Sequence, residues 1–109
     1  MSAGEPPYLY LTTTGRRSGQ PREIEIWFTD HEGCYYLVAE HRERTHWVQN
    51  ILADSRVRWR VGDTTFEGRG RVVDPTAEPA LVATVQSRST RKYGWGDGLV
   101  VELMAAPSS

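Results

Sequence analysis

The stretch Arg56-Val57-Arg58-Trp59-Arg60-Val61 alternates strictly between charged and apolar residues. Side chains of a strand point to opposite faces in turn, so this pattern marks a strand with one wet and one buried face. Gly62-Asp63 follows as a two-residue hairpin turn, and Thr64 to Val73 reads as the return strand. Gly68 and Gly70 lie inside that return strand. Glycine there marks a barrel corner, a bulge or a close approach by a ligand. The two strands of such a hairpin pair antiparallel.

The other elements agree. Tyr8 to Thr13 is rich in strand formers. Arg22 to Asp30 alternates, with Ile24, Ile26 and Phe28 on one side, and should pair as a hairpin with Cys34 to Ala39 across the Asp30-His31-Glu32-Gly33 turn. Thr45 is placed to cap a short helix through Ala53, with Trp47, Ile51 and Leu52 on its apolar face. A second helix is predicted from Asp74-Pro75-Thr76 to about Arg91, with Ala77, Leu81, Val82 and Val85 as its stripe. Leu99 to Leu103 is the last strand. The order β-β-β-α-β-β-α-β predicts an α+β, mainly β domain: a small barrel of about six antiparallel strands with two helices, not a parallel Rossmann sheet.

At 109 residues the chain makes one domain, over residues 8–104, between a disordered lead (1–7) and a polar tail (105–109). Thirteen basic against fourteen acidic residues argue against nucleic acid as a partner. Cys34 is the sole cysteine, and His31, His41 and His46 lack ligand spacing, so no metal is expected. No apolar run approaches the ~20 residues of a membrane span, and no secretory core follows Met1. The sequence reads as cytoplasmic.

Twelve of the thirteen basic residues are arginine. GC-rich coding would give that bias without function, but the guanidinium fork also suits phosphate and carboxylate. The segment Thr12-Thr13-Thr14-Gly15-Arg16-Arg17-Ser18-Gly19-Gln20-Pro21-Arg22 gathers three threonine hydroxyls, two glycines and three arginines around one loop. That is the donor inventory of an anion cradle, or else an ordinary solvated hairpin. It is not a nucleotide P-loop, because the Gly-x4-Gly-Lys-Ser/Thr spacing is absent.

The string Leu11 to Arg22, followed by the Ile24 to Phe28 strand, resembles the deazaflavin-dependent nitroreductase and quinone reductase family. The likeness continues through Tyr35 to Ala39, His46 to Ile51 and Arg69 to Val73. It implies a split β-barrel of the FMN-binding type, a homodimer, and coenzyme F-420 as cofactor with FMN as the alternative. It implies hydride transfer to a small-molecule acceptor: a quinone, nitroaromatic or activated enone. The alternative is a carrier of the same fold that binds a flavin, deazaflavin or haem-like ligand without turnover.

By the same resemblance Thr13, Thr14, Arg16, Arg17, Ser18 and Arg22 would hold the anionic tail, with Pro21 shaping the turn. Ala39, Glu40, His41 and Arg42 would line the ring and linker, and Trp47 and Asn50 belong to the helix that closes over the cofactor. Tyr93, Tyr36 and Trp95 are candidate catalytic donors to the acceptor. One departure stands out. Where several members carry a Ser-Lys-Gly-Gly-like loop, this chain has Glu40-His41-Arg42-Glu43-Arg44. A carboxylate at Glu40 beside a phosphate would be repulsive unless Arg42 or Arg44 neutralised it.

Overall fold

The computed structural model describes residues 7–106, so most of the expected lead and the end of the expected tail lie outside the described residues. One antiparallel sheet of seven strands curls into a split β-barrel. The strands are β1 (Leu9–Thr14), β2 (Pro21–Ile26), β3 (Thr29–His31), β4 (Cys34–Ala39), β5 (Arg56–Val61), β6 (Thr64–Val72) and β7 (Leu99–Ala105). Their spatial order is β2-β1-β5-β6-β7-β4-β3. Helix α1 (His46–Ala53) packs on β1 and β6, and helix α2 (Pro79–Tyr93) on β3, β4 and β7. No helix among the described residues is long and apolar enough to cross a membrane.

The Arg56–Val61 alternation behaves as its pattern dictates. Val57 and Trp59 are buried, while Arg56, Arg58 and Arg60 face outward. The barrel core gathers Leu9, Leu11, Leu37, Trp59, Val101 and Leu103 around Trp47, Val48 and Ile51 of α1. A second cluster, with Val82 and Val85 of α2 over Val100 and Val73, covers the other side of the sheet. Strand β7 therefore feeds both clusters by alternation and is buried on both faces.

Several expectations need correction. Arg22 to Asp30 is two strands, so the total is seven. β2 pairs with β1 at one sheet edge, whereas β3 pairs with β4 at the other. The hairpin expected of the whole 22–30 segment with Cys34 to Ala39 is thus confined to β3 and β4. The break falls at Trp27-Phe28, where side chains of α2 replace the ladder. Phe28 N–H donates to the Tyr93 hydroxyl at 3.1 Å, and Lys92 Nζ donates to Phe28 O at 2.9 Å.

Helix α2 begins at Pro79, not near Pro75, and ends at Tyr93 before Gly94 in the left-handed region (φ 81°). A helix started at Pro75 would need an N–H at residue 79, which proline lacks. Residues 74–78 instead form a turn closed by Thr76 N–H on Asp74 Oδ1 (2.8 Å) and Glu78 N–H on Asp74 O (2.9 Å). Ala77 thereby leaves the stripe for an exposed turn.

On α1, Leu52 points to solvent, and the buried face is Trp47, Val48, Asn50 and Ile51. Thr45 occupies the cap position in extended backbone, but its hydroxyl makes no capping bond. The β6 glycines admit protein. A Cβ on Gly70 would lie 3.1 Å from Ile51 Cδ1 of α1, and one on Gly68 would collide with the Met104 carbonyl of β7. Gly70 therefore lets α1 settle onto the sheet beside the β1–β2 loop.

Candidate functional site

The β1–β2 loop is tied to itself before it meets anything else. Gly15 N–H donates to Gln20 O and Gly19 N–H to Gly15 O, both at 2.8 Å. Gln20 N–H donates to Ser18 Oγ at 3.1 Å. Gly19 sits at φ 71°, where a side chain is strained. A Cβ on Gly15 would lie 2.7 Å from Ser18 Oγ. A side chain at Gly15 would therefore displace the Ser18 hydroxyl.

Helix α1 then fixes the loop through Asn50, which is 5% exposed. Asn50 Oδ1 accepts from Arg16 N–H at 3.2 Å and from Arg16 Nη1 at 2.9 Å. Its Nδ2 donates to Thr13 Oγ1 at 3.1 Å. Arg16 Nη2 lies 3.2 Å from His46 Nδ1. Arginine only donates, so His46 Nδ1 accepts and its ring proton is on Nε2. Asn50 is thus a brace that aims Arg16.

These residues wall a cavity of about 480 Å³, lined also by Gly15, Arg17, Ser18, Arg22, Ile24 and Trp47. Arg42, Arg56, Arg58, Arg71 and Arg88 each lie within ion-pair distance of a carboxylate. Among the described residues, Arg16, Arg17, Arg22, Arg44, Arg60, Arg69 and Arg91 do not, and of these only Arg16, Arg17 and Arg22 line this cavity. Three unneutralised guanidiniums turned toward one concavity repel one another, and an anion between them relieves that cost.

A second cavity of about 570 Å³ adjoins the first and shares Trp47 with it. Ile26, Val38 and Ala39 supply apolar lining, Trp27 and Trp95 aromatic lining, and Tyr8, Glu25, Glu40, His41 and Thr45 complete it. The pair forms a groove that is basic at one end and aromatic at the other. That division matches a planar ring carrying an anionic handle.

The groove receives most of the residues expected there. Thr13, Arg16, Arg17, Ser18, Arg22, Trp47 and Asn50 line its basic end; Ala39, Glu40, His41, Trp47 and Trp95 line its aromatic end. Thr14 and Pro21 instead face each other as the last register pair of β1 and β2. Arg42 adopts φ 53° and turns to Asp97 at 3.5 Å. It does not neutralise Glu40, and Glu40 lines the aromatic end, apart from the guanidinium cluster.

Two of the candidate donors are otherwise engaged. The Tyr36 hydroxyl donates to Glu102 Oε2 at 2.7 Å beneath α2. Burial first, and the Glu102 carboxylate second, raise that phenol above its ordinary range. The Tyr93 hydroxyl lies 2.9 Å from Phe28 O and 2.7 Å from Pro7 O, while accepting from Phe28 N–H. Its ring stacks on Trp27 with centroids 4.5 Å apart and planes within 1°. Tyr93 therefore positions a groove wall. Tyr93→Phe keeps the stack and is expected to leave ligand affinity within about three-fold, whereas Tyr93→Ala forfeits an aromatic pair worth about 0.5–1.5 kcal/mol and loosens Trp27. Fluorescence titration of both variants checks this; a proton-donor role would instead show as lost turnover in Tyr93→Phe at unchanged affinity.

Sequence reasoning left out His46, Ile24, Ile26, Trp27, Glu25 and Tyr8. The alternation of Arg22 to Phe28 carried the signal for Ile24 and Ile26, since the inner face of β2 runs under both cavities. His46 gave none, because its role depends on Arg16, thirty residues earlier.

The family model for F420H(2)-dependent quinone reductase matches residues 2–96. The F420H(2)-dependent quinone reductase Rv1261c of Mycobacterium tuberculosis is 31% identical over 75 residues, which are 66% of this chain and 50% of that protein. The chain thus spans about half the length of the curated relatives it matches. Among solved structures, the heme storage protein HutZ of Vibrio cholerae superposes with a TM-score of 0.75 at 15% identity, covering 94% of this chain and 83% of that one. An F420-H2 dependent reductase (FDR-A) superposes with a TM-score of 0.62 at 21% identity, covering 89% and 93%. These likenesses establish the fold.

Proposed function

The chain belongs to the F420H(2)-dependent quinone reductase family, and on that premise we propose that it binds reduced coenzyme F-420 and passes its hydride to a quinone, nitroaromatic or activated enone. The observation that carries this reading is the divided groove: three guanidiniums without carboxylate partners at one end, and an aromatic slot at the other. The donor set fits the coenzyme, whose phosphate and acidic tail need charged donors and whose ring needs flat apolar walls. A homodimer is part of the same proposal.

When bound, the coenzyme supplies the hydride, which is chemistry that no side chain here provides. With a quinone as acceptor, the coenzyme would give up one hydride and one proton, and the products would be hydroquinone and oxidised coenzyme. The chain's own work is placement. Arg16, Arg17, Arg22 and Ser18 hold the anionic handle, with Arg16 aimed by Asn50. Trp27, Trp47 and Trp95 confine the ring and exclude water from one side. Fixing two reactants in this way removes a large part of the entropic barrier to a two-body reaction.

The test mixes purified protein with reduced coenzyme F-420 and menadione. Loss of reduced-coenzyme absorbance in proportion to protein supports the enzyme. Tight binding without oxidation makes the protein a carrier. Parallel titration with FMN decides the cofactor, and preference for FMN overturns the deazaflavin assignment.

A further inference from the structure

The two ends of the groove differ in the sign of their charge as well as in their apolar character. The basic end is lined by three arginines and no carboxylate. The aromatic end is lined by Glu25 and Glu40 and by no arginine or lysine. The Glu25 carboxylate is held in place, because Tyr10 Oη donates to Glu25 Oε2 at 2.9 Å. Arg60 lies over the Tyr10 ring, 4.5 Å from its centroid, and pairs with neither glutamate. Glu40 follows the last residue of β4 and has no ion pair among the described residues. Its neighbour Arg42 is turned away to Asp97.

Resting on the function proposed above, we infer that Glu25 and Glu40 set acceptor specificity: the aromatic end admits neutral aromatic acceptors and discriminates against those carrying a fixed negative charge. An acceptor gains negative charge as it takes up hydride. A sulfonate or carboxylate on the same ring adds a second charge in a slot bordered by two glutamates, and like charges across a partly desolvated slot repel. The arginines do not offset this, because the coenzyme's own anionic handle occupies them. Both glutamates are exposed, so the discrimination is several-fold and weakens as salt rises.

The experiment compares 1,4-naphthoquinone with 1,4-naphthoquinone-2-sulfonate as acceptors for reduced coenzyme F-420. The readout is the ratio of their kcat/KM values, in the native protein and in Glu25→Gln/Glu40→Gln. Taking the change in ratio cancels the intrinsic difference in reactivity between the quinones. At low salt the double substitution is expected to shift the ratio toward the sulfonate by about three- to ten-fold, with the gain falling below about two-fold in half-molar salt. Both substitutions are at exposed positions, and circular dichroism verifies the fold. Turnover with an unchanged ratio overturns this inference and leaves the proposed function standing. Absence of turnover with either quinone overturns both.

Discussion

Replacing Arg16 and Arg22 together by alanine is expected to weaken coenzyme F-420 binding by about 2–6 kcal/mol, from about 1–3 kcal/mol for each charged hydrogen-bonding group lost. In affinity that is about thirty-fold to about twenty-thousand-fold. The two side chains contribute differently. Arg22 has no ion-pair partner among the described residues, so Arg22→Ala reports on the ligand almost alone. Arg16 is bonded to Asn50 and His46, so its loss also slackens the loop. The backbone bond from Arg16 N–H to Asn50 survives the substitution and keeps the loop attached. Equilibrium titration by coenzyme fluorescence measures the effect, and thermal melting separates it from unfolding. An affinity within about three-fold of native would remove the anion clamp from the account.

The second large effect lies on the far side of the sheet. Glu102 is 5% exposed, and its carboxylate accepts from the Tyr36 hydroxyl at 2.7 Å and from Arg71 Nε at 3.0 Å. Arg71 reaches outward to Glu78 as well. Arg71→Met strands the buried carboxylate with a single neutral donor. The expected loss is about 3 kcal/mol, at the low end for a broken buried pair because the Arg71 side chain is 45% exposed. Adding Glu102→Gln restores part of it, since an amide needs no counter-charge and its oxygen still accepts from Tyr36. Urea unfolding of the two single variants and the double gives the coupling directly. Independent, additive losses would show that the cluster does not act as a unit. Coenzyme affinity should hardly move, because none of these residues lines the groove.

The contrast between these two places explains what the chain discloses in advance. The β1–β2 loop is legible because its chemistry is local: Gly15, Gly19, Pro21 and three arginines lie within eight residues. The Arg56–Val61 strand is legible because alternation is a property of the strand itself. The corner at Trp27-Phe28 is not. Ile24, Ile26 and Phe28 keep alternating across it, since Phe28 still faces the core, and what breaks the ladder is Tyr93, sixty-five residues away. The same distance hides the roles of Tyr36 and Tyr93. A tyrosine at the end of a strand or helix resembles a donor until Glu102 or the Phe28 backbone is found to occupy it. Pro75 suits a helix start by residue type, and the turn closed on Asp74 is what moves the start of α2 to Pro79.

The groove is assembled from separate supports. Its anion end rests on the β1–β2 loop and the first turns of α1. Its ring end leans on the Trp27 corner, which α2 clasps through Lys92 and Tyr93, and on Trp95 just beyond. The two seats meet only at Trp47. Remodelling of the sequence around residues 92–98 would therefore reshape the aromatic end and leave the basic end untouched. On the function proposed above, acceptor choice can therefore be altered at one seat without disturbing the coenzyme's hold at the other.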